Sequence, residues 1–219
     1  MADKTVVVGS SGVTAPQLKD FFRQIEDGSL GHYQIQAMLE HRNPFAFERN
    51  EHGHVIIAFT GLDLTGAQEV ERLASGGYRA GGYAKSCFTS TAKDSYDANH
   101  RLVAGQSYKL SLVLGKEIKK DSDRTTANLR KLGMEKYGYG KPLGGHIPRT
   151  RETISDGQME EMEIQYIASL HDPITDADGD PDVLSARRFG GGLWVYTCWD
   201  DPGRQWSVDG AFAFPVPAS

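Results

Sequence analysis

The sequence predicts an α+β fold: an N-terminal helical hairpin packed on one mostly antiparallel sheet, with two or three further helices. Within residues 14–43 apolar side chains recur with a helical period, whereas from residue 45 onward they alternate or form short runs, as in strands. Turns rich in Gly, Asp and Pro join the later strands, which favours antiparallel pairing. We expect a flexible lead (1–13), the hairpin (14–44) and an α+β domain (45–219) that forms one compact unit with the hairpin.

The hairpin begins at Thr14, the predicted N-cap, with Pro16 in the first turn, where its missing N–H costs no hydrogen bond. The apolar residues of the first helix fall at i, i+3, i+4 and i+7: Leu18, Phe21, Phe22 and Ile25. Gly28 ends this helix, and a second helix starts at Ser29 and stops before Pro44. Because two such short helices cannot bury the apolar stripe alone, we expect them to dock on the sheet.

Three further helices are predicted, after the capping-box patterns Thr65–Gln68 and Ser155–Gln158 and over residues 125–137. Strands are predicted from apolar runs or alternation at Val55–Thr60, Ala84–Ser90, Ser107–Leu114, Ile164–Leu170, Val183–Arg187, Leu193–Trp199 and Ala211–Val216.

Two of these strands carry predictions about burial. Polar Ser107, Lys109 and Ser111 alternate with apolar residues, so one face of the 107–114 strand is expected to be solvated. Both faces of the 193–199 strand are apolar, so it is expected to be central and covered on both sides.

Composition indicates an ordinary globular protein, with 39% apolar and 24% charged residues. No apolar run approaches the roughly 18 residues that span a bilayer, and the first eight residues do not resemble a signal peptide. Cys87 and Cys198 are too few for a disulfide framework. We expect a cytoplasmic protein without a membrane partner or a cofactor.

Charge is distributed unevenly: residues 116–151 carry 10 basic and 4 acidic side chains, and residues 152–219 carry 3 basic and 13 acidic ones. The two segments could neutralise one another, or the basic segment could face an anionic partner. Its lysines, tyrosines and glycines are the mixture that single-stranded nucleic-acid binders use. Nucleic-acid binding through residues 116–151 is therefore one alternative function.

Candidate catalytic groups are scattered. Cys87 could act as a nucleophile, with His100 as its base and Asp97 orienting that base. However, a cysteine in a predicted strand is usually a core residue. His52 and His54 could begin a zinc site, but further ligands would have to come from distant histidines such as His146. The sequence therefore predicts no metal, and a cleft near the glycine-rich loop Gly138–Gly145 is the alternative site of an enzyme.

Two further patterns, an acidic turn and the aromatic residues near the C-terminus, each have an ordinary structural explanation. Asp176, Asp178 and Asp180 alternate in an acidic turn, but the spacing departs from the EF-hand pattern, so we expect no tight calcium site. The C-terminal aromatic residues are expected to pack in the core or, alternatively, to line a binding pocket.

Several segments resemble small hypothetical proteins of Parcubacteria-like candidate-phylum bacteria. These segments are Phe21–Gly28, Tyr78–Ser86, His100–Leu112, Ile154–Met162, His171–Ile174 and Trp206–Phe214. The resemblance covers nearly the whole chain and implies a bacterial, cytosolic setting. Because no activity is assigned to that family, it implies no catalytic residue.

The sequence as a whole favours a non-enzymatic binding module with an unidentified protein partner, while enzyme activity stays undecided. The side chains predicted to bind are cationic or aromatic residues of the basic segment and the tail: Lys136, Tyr137, Tyr139, Lys141, Trp194, Trp199 and Trp206.

Overall fold

The computed structural model describes residues 14–26, 30, 35, 38–39, 47–189 and 192–217. The chain divides into two compact units, Met1–Ala46 and Phe47–Ser219. In the first unit, helix α1 (Ala15–Glu26) starts as predicted, because the Thr14 hydroxyl accepts a hydrogen bond from the backbone N–H of Gln17 at 3.4 Å. The predicted second helix falls mostly outside the described residues, so the hairpin and its docking stay predictions.

The second unit is built around one mixed sheet. Its strands in the described residues are β1 (Val55–Thr60), β2 (Arg79–Ala80), β3 (Ser107–Leu114), β4 (Tyr166–Ser169), β5 (Ile174–Thr175), β6 (Pro181–Phe189), β7 (Gly192–Trp199) and β8 (Gly210–Pro215). The order is β1-β3-β8-β4-β6-β7-β2, with β5 paired to β6. Pairs β2–β7 and β4–β8 are parallel and the other five pairs are antiparallel. The α+β class is confirmed.

The described helices of this unit are α2 (Gly66–Ser75), α3 (Gly82–Thr89), α4 (Tyr96–Asn99), α5 (Thr126–Lys131), α6 (His146–Thr153) and α7 (Asp156–Glu161). Helix α5 continues into a π-helical turn at Leu132–Lys136. Both predicted capping boxes are present, at Thr65 and Ser155. The described helices exceed the two or three expected because α3 was predicted as a strand and because α4 and α6 have no apolar stripe from which a helix could be predicted.

Helix α6 is largely buried although six of its eight residues are polar. It contacts β1, β4, β6 and β7. Its Arg149 donates to the buried carboxylate of Glu69 in α2 at 2.6 Å, and the same carboxylate accepts from the Tyr96 hydroxyl at 3.2 Å. Arg151, also buried, pairs with Asp156 at the start of α7. These paired charges therefore hold α6 against helices α2 and α7.

The sheet separates two apolar layers. The first face packs under α2, α3, α6 and α7, and Leu73, Phe88, Ile147 and Met159 lie in that layer. The second face packs under α5, the π-helical turn and the loops that carry Tyr139 and Trp206. This second layer covers β3, β8 and β4 and becomes thin over β6 and β7.

The predicted strand Ala84–Ser90 is wrong, because these residues lie in and just after helix α3. Ala84, Cys87 and Phe88 are its buried residues, at the helical spacing i, i+3, i+4. Their contact with the core overrides the strand propensity of the cysteine, phenylalanine and threonine.

Two burial predictions also need correction. Only the first half of β3 has a solvated face, because Ser111 and Val113 lie beneath the second layer. Strand β7 is not central: its outer neighbour, β2, has two residues. As a result, Tyr196 and Trp199 are 41% and 50% exposed.

Candidate functional site

The basic segment is largely neutralised within the molecule. Five of its side chains form ion pairs with acidic groups of residues 152–219: Lys116–Glu163, Arg130–Asp200, Lys141–Asp172, Arg149–Glu152 and Arg151–Asp156. This arrangement favours mutual neutralisation over an extended cationic surface. It leaves little of the segment's charge for a polyanion.

Three other lysines of the segment line a surface groove of about 660 Å³. These are Lys119, Lys131 and Lys136, and none has an ion-pair partner among the described residues. The Lys136 ammonium lies 5.1 Å from the centre of the Tyr137 ring. The π-helical turn forms one wall, and such turns occur frequently at functional sites. We call this the π groove.

The π groove also contains Glu117, which is backed by a buried hydrogen-bonded chain. Asn50 donates from Nδ2 to the Tyr139 hydroxyl at 2.6 Å, which leaves the hydroxyl to donate to Nδ1 of His54 at 2.7 Å. Nε2 of His54 therefore carries the ring proton in the neutral imidazole, and it lies 3.3 Å from Glu117 Oε2. The chain holds Glu117 in a fixed position at the groove.

The glycine-rich loop 138–145 ends on a group of buried histidines rather than at an open cleft. The backbone N–H groups of Gly144 and Leu143 donate to Nδ1 of His100 and of His146, at 3.2 and 3.1 Å. The His171 ring lies 4.6 Å from the His100 ring, between centres, and accepts from Leu184 N at 2.9 Å.

All three buried histidines are held neutral. Burial lowers the pKa of His100 to about 4 and that of His146 to about 3. Burial lowers the pKa of His171 well below its ordinary value as well. Since all three side chains are almost wholly inaccessible to solvent, they stabilise the fold and do not present a base to a substrate.

The predicted nucleophile has no supporting geometry. The Cys87 thiol is buried in α3, and burial raises its pKa to about 12. Asp97, the expected orienting group, instead accepts from the backbone N–H of Gly66 at the start of α2, at 2.7 Å. Cys87 is therefore a core residue.

The most distinctive surface lies where the second layer ends, over β6, β7 and β2. Four side chains are paired in register across the strands, in the order Tyr166, Arg187, Trp194 and Arg79. The Arg187 guanidinium lies 5.3 Å from the Tyr166 ring centre and 5.4 Å from that of Tyr196. Arg79 lies 5.5 Å from the ring centre of Trp194. We call this set the arginine–aromatic row and the surface around it the open end.

Glycines make room for the rings of this row. A Cβ at Gly81 would lie 2.9 Å from the Tyr196 ring, and one at Gly192 would lie 2.7 Å from Nε1 of Trp194. A side chain at either position would therefore force the neighbouring ring to shift. The close approach of backbone to ring fixes the orientation of Trp194 and Tyr196.

A pocket of about 250 Å³ lies beside the row. It is lined by Arg187, Phe189, Trp194 and Tyr196, and Phe189 is 71% exposed. We call it the ring pocket. Among the described residues, no carboxylate lies within ion-pair distance of Arg79 or Arg187, whereas the neighbouring Arg188, on the other face, pairs with Glu160 at 3.0 Å.

An acidic depression of about 380 Å³ shares Arg187 and Tyr196 with the ring pocket. Its carboxylates come from the turn before β6 and from β6 itself: Asp176, Asp180 and Asp182. Burial raises the pKa of Asp182 to about 6; the hydrogen bond with Thr197 and the charge of Arg204 oppose this rise, and the charges of Asp176 and Asp180 add to it. The open end thus changes from cationic to anionic over a short distance.

The structure distributes the residues predicted to bind over several places. Lys136 and Tyr137 line the π groove, and Lys141 is paired with Asp172. Trp194 lines the ring pocket, whereas Trp199 lines the acidic depression from the opposite face of β7. Two lie in the second layer: Tyr139, and Trp206, whose indole donates to the Thr126 hydroxyl at 3.0 Å.

Sequence reasoning missed Arg79, Tyr166, Arg187 and Phe189. The alternation of Arg187 and Phe189 along a strand was the one local signal. The remainder of the row depends on strand pairing between segments far apart in the chain, and sequence alone does not provide that pairing.

Among the described residues, no helix combines the length and apolar character needed to cross a bilayer. Nor do three or more His, Cys, Asp or Glu side chains in those ranges converge as metal ligands would. Comparison with known proteins finds no matching family model, curated protein or solved structure. The resemblance to candidate-phylum proteins therefore stays an expectation, and any function must be argued from geometry.

Proposed function

We propose that this protein is a non-enzymatic binding module whose binding surface is the open end. The observation that carries the proposal is the arginine–aromatic row, in which two guanidinium groups without carboxylate partners among the described residues alternate with two rings, the buried Tyr166 and the partly exposed Trp194. Tyrosine, tryptophan and arginine are the residue types that dominate binding energy at interfaces.

Two features of the open end support a role beyond stability. An exposed ring such as that of Phe189 contributes little to the core. An arginine without a carboxylate partner contributes no ion pair, and Arg187 keeps its Nε buried without a hydrogen-bond acceptor among the described residues. A bound partner would cover the exposed ring and supply an acceptor to the Arg187 guanidinium.

The chemistry of the other candidate residues also favours binding over turnover. The buried cysteine has a raised pKa, and the buried histidines are neutral and inaccessible. A catalytic step needs a titratable group that can reach a substrate, and none of these groups meets that condition.

The proposal can be tested by mapping binding on the isotope-labelled protein with nuclear magnetic resonance. A panel of small acids, amines, neutral rings and short peptides is titrated in, and backbone and indole shifts are followed. We expect the shifts to concentrate on β6 and β7 and to disappear in Arg187→Gln. The matched control is Arg188→Gln, on the same strand but the opposite face, which should keep them.

Shift changes confined to other surfaces would contradict the proposal. So would turnover of any substrate that is lost in a stably folded Cys87→Ser, His100→Asn or His146→Asn variant, because the enzyme interpretation would then replace it.

The π groove carries a second candidate function, an enzyme near the glycine-rich loop. The observation that favours it is Glu117, a carboxylate positioned by His54 at the edge of a groove of about 660 Å³. In that case Glu117→Gln would abolish a turnover that Glu135→Gln, on the same groove, leaves intact. Nucleic-acid binding through residues 116–151 has less support, because six of the ten basic side chains of the segment form ion pairs within the molecule.

A further inference from the structure

We propose that the open end binds a small planar molecule carrying one acid group, such as a nucleoside monophosphate or an aromatic carboxylate. This inference rests on the proposed function and specifies the ligand. Three observations lead to it: the state of Arg187, the surroundings of Trp194, and the charge of the neighbouring depression.

The contacts of Arg187 indicate that the ligand carries an acid group. Its guanidinium lies against two tyrosine rings, and its one polar contact among the described residues is from Nη2 to the Cys198 sulfur, at 3.4 Å. A planar guanidinium forms paired hydrogen bonds with carboxylate or phosphate oxygens. Because the stacked rings remove water from Arg187, an acid group would gain more here than at a fully solvated arginine.

The surroundings of Trp194 point to the planar ring. Arg187 and Arg79 are its register partners on the two neighbouring strands, and the Arg79 guanidinium lies 5.5 Å from the centre of the indole ring. A ring stacked in the ring pocket would contact Trp194, Tyr196 and Phe189. Its acid group would then lie beside Arg187, which lines the same pocket.

The size of the pocket limits the ligand. A volume of about 250 Å³ is below the roughly 300–1,000 Å³ of pockets that enclose drug-sized molecules. It accommodates one ring system with a short substituent, and the remainder of a larger ligand would be outside.

The acidic depression argues against a polyanion. Asp176, Asp180 and Asp182 border the same Arg187 and Tyr196 that line the ring pocket. A polyanion bound over Arg187 and Tyr196 would bring further negative charge to the edge of a depression that holds three carboxylates and one further arginine, Arg204. A compact molecule with one acid group avoids this repulsion.

The test uses calorimetry and tryptophan fluorescence on the full chain with five probes: adenosine monophosphate, indole-3-carboxylate, adenosine, inorganic phosphate and a single-stranded oligonucleotide. We expect the first two to bind saturably, and adenosine and phosphate to bind at least about tenfold more weakly, since each lacks one of the two recognised groups. Saturable binding of only one of the two acids would identify the acid group that the site prefers and would still support the inference.

Variants locate the site. Arg187→Gln should weaken binding of the acid probes at least about tenfold and leave the weak binding of adenosine unchanged. Trp194→Ala should weaken both. Arg188→Gln is the matched control and should change neither, and the unfolding midpoint of each variant shows that the fold is kept. If Trp194→Ala does not fold, Trp194→Leu, which keeps apolar contact without the indole, replaces it.

Three results would overturn the inference: equal affinity for adenosine and its monophosphate, tighter binding of the oligonucleotide per site than of the mononucleotide, or acid binding that Arg187→Gln does not change. If amines or neutral molecules alone bind at the open end, the proposed function holds and this inference fails. If none of the compounds tested perturbs the open end, both fail.

Discussion

Acidification from pH 7.5 to pH 5 should destabilise this protein, because three histidines are buried as neutral rings. Charged groups near them act in both senses: Asp172 and Asp94 favour protonation of His100, and Lys141 opposes it. Arg130 opposes protonation of His171. Desolvation is the largest influence on all three, so their folded-state pKa values lie below the ordinary value of 6.5.

The sign follows from proton binding. Below pH 6.5 the unfolded chain protonates these rings and the folded chain does not, so the free energy of unfolding falls as the pH falls. With folded-state pKa values of about 4 and about 3, His100 and His146 should each lower it by about 2 kcal/mol between pH 7.5 and pH 5.

Asp182 acts in the opposite sense. Its pKa is raised from 3.8 to about 6, so on acidification the folded chain takes up this proton before the unfolded chain does. The free energy of unfolding therefore rises by about 1 kcal/mol over the same pH range. Burial also raises the pKa of Glu69, which adds to this offset. The histidines exceed the offset, and we expect a net loss of about 2–4 kcal/mol.

Urea denaturation at pH 7.5, 6.5, 5.5 and 5.0 measures this loss. The variant His146→Asn keeps an acceptor for the Leu143 N–H without a titrating ring, so its stability should fall by about 2 kcal/mol less over that range. Nitrogen chemical shifts should show the proton on Nε2 of His100 and His146, since Nδ1 of each accepts a backbone N–H. A stability that is constant or rises on acidification would refute the reasoning.

Other predictions concern packing and the acidic turn. Arg149→Met should lower the free energy of unfolding by about 3–5 kcal/mol in denaturant melts, because it leaves the Glu69 carboxylate without its buried ion-pair partner. Adding Glu69→Gln should recover most of that loss. A loss under about 1 kcal/mol would contradict a buried ion pair. Gly66→Ala should destabilise the fold by about 1–3 kcal/mol or more, since the added Cβ would lie 1.7 Å from the Phe88 carbonyl oxygen. The control Gly82→Ala should not destabilise it, because no atom lies within 4 Å of a Cβ at that position. Equal stabilities of the two variants would show that the close contact at Gly66 is absent. Calorimetry should detect no calcium binding with a Kd tighter than about 10⁻⁵ M. The reason is that Asp176 Oδ1 already accepts hydrogen bonds from the backbone N–H groups of Asp178 and Asp180, at 2.9 and 3.0 Å. Tighter binding would mean that the turn rearranges.

What the sequence predicted well was local. The capping boxes at Thr65 and Ser155 depend on residues three apart, and both helices start where that spacing places them. Helix α3 was missed because strand propensity and a three-residue helical stripe compete within eight residues, and only packing against the core decides between them.

Features that depend on distant pairing could not be predicted. The arginine–aromatic row unites residues 79, 166, 187 and 194, whose alignment needs the order of four strands. The neutral histidines show the same limit, since the burial that lowers their pKa values is a property of the assembled core.

The polar interior of helix α6 also constrains the order in which the chain folds. Arg149 and Glu69 are 80 residues apart, and neither can leave water before the other arrives without burying a lone charge. Helices α2 and α6 must therefore dock in one step, after a loop of that length has closed. Closing a long loop before any contact offsets its entropy slows folding. We expect the transition state to form before this ion pair, so weakening the pair should accelerate unfolding and leave the refolding rate nearly unchanged.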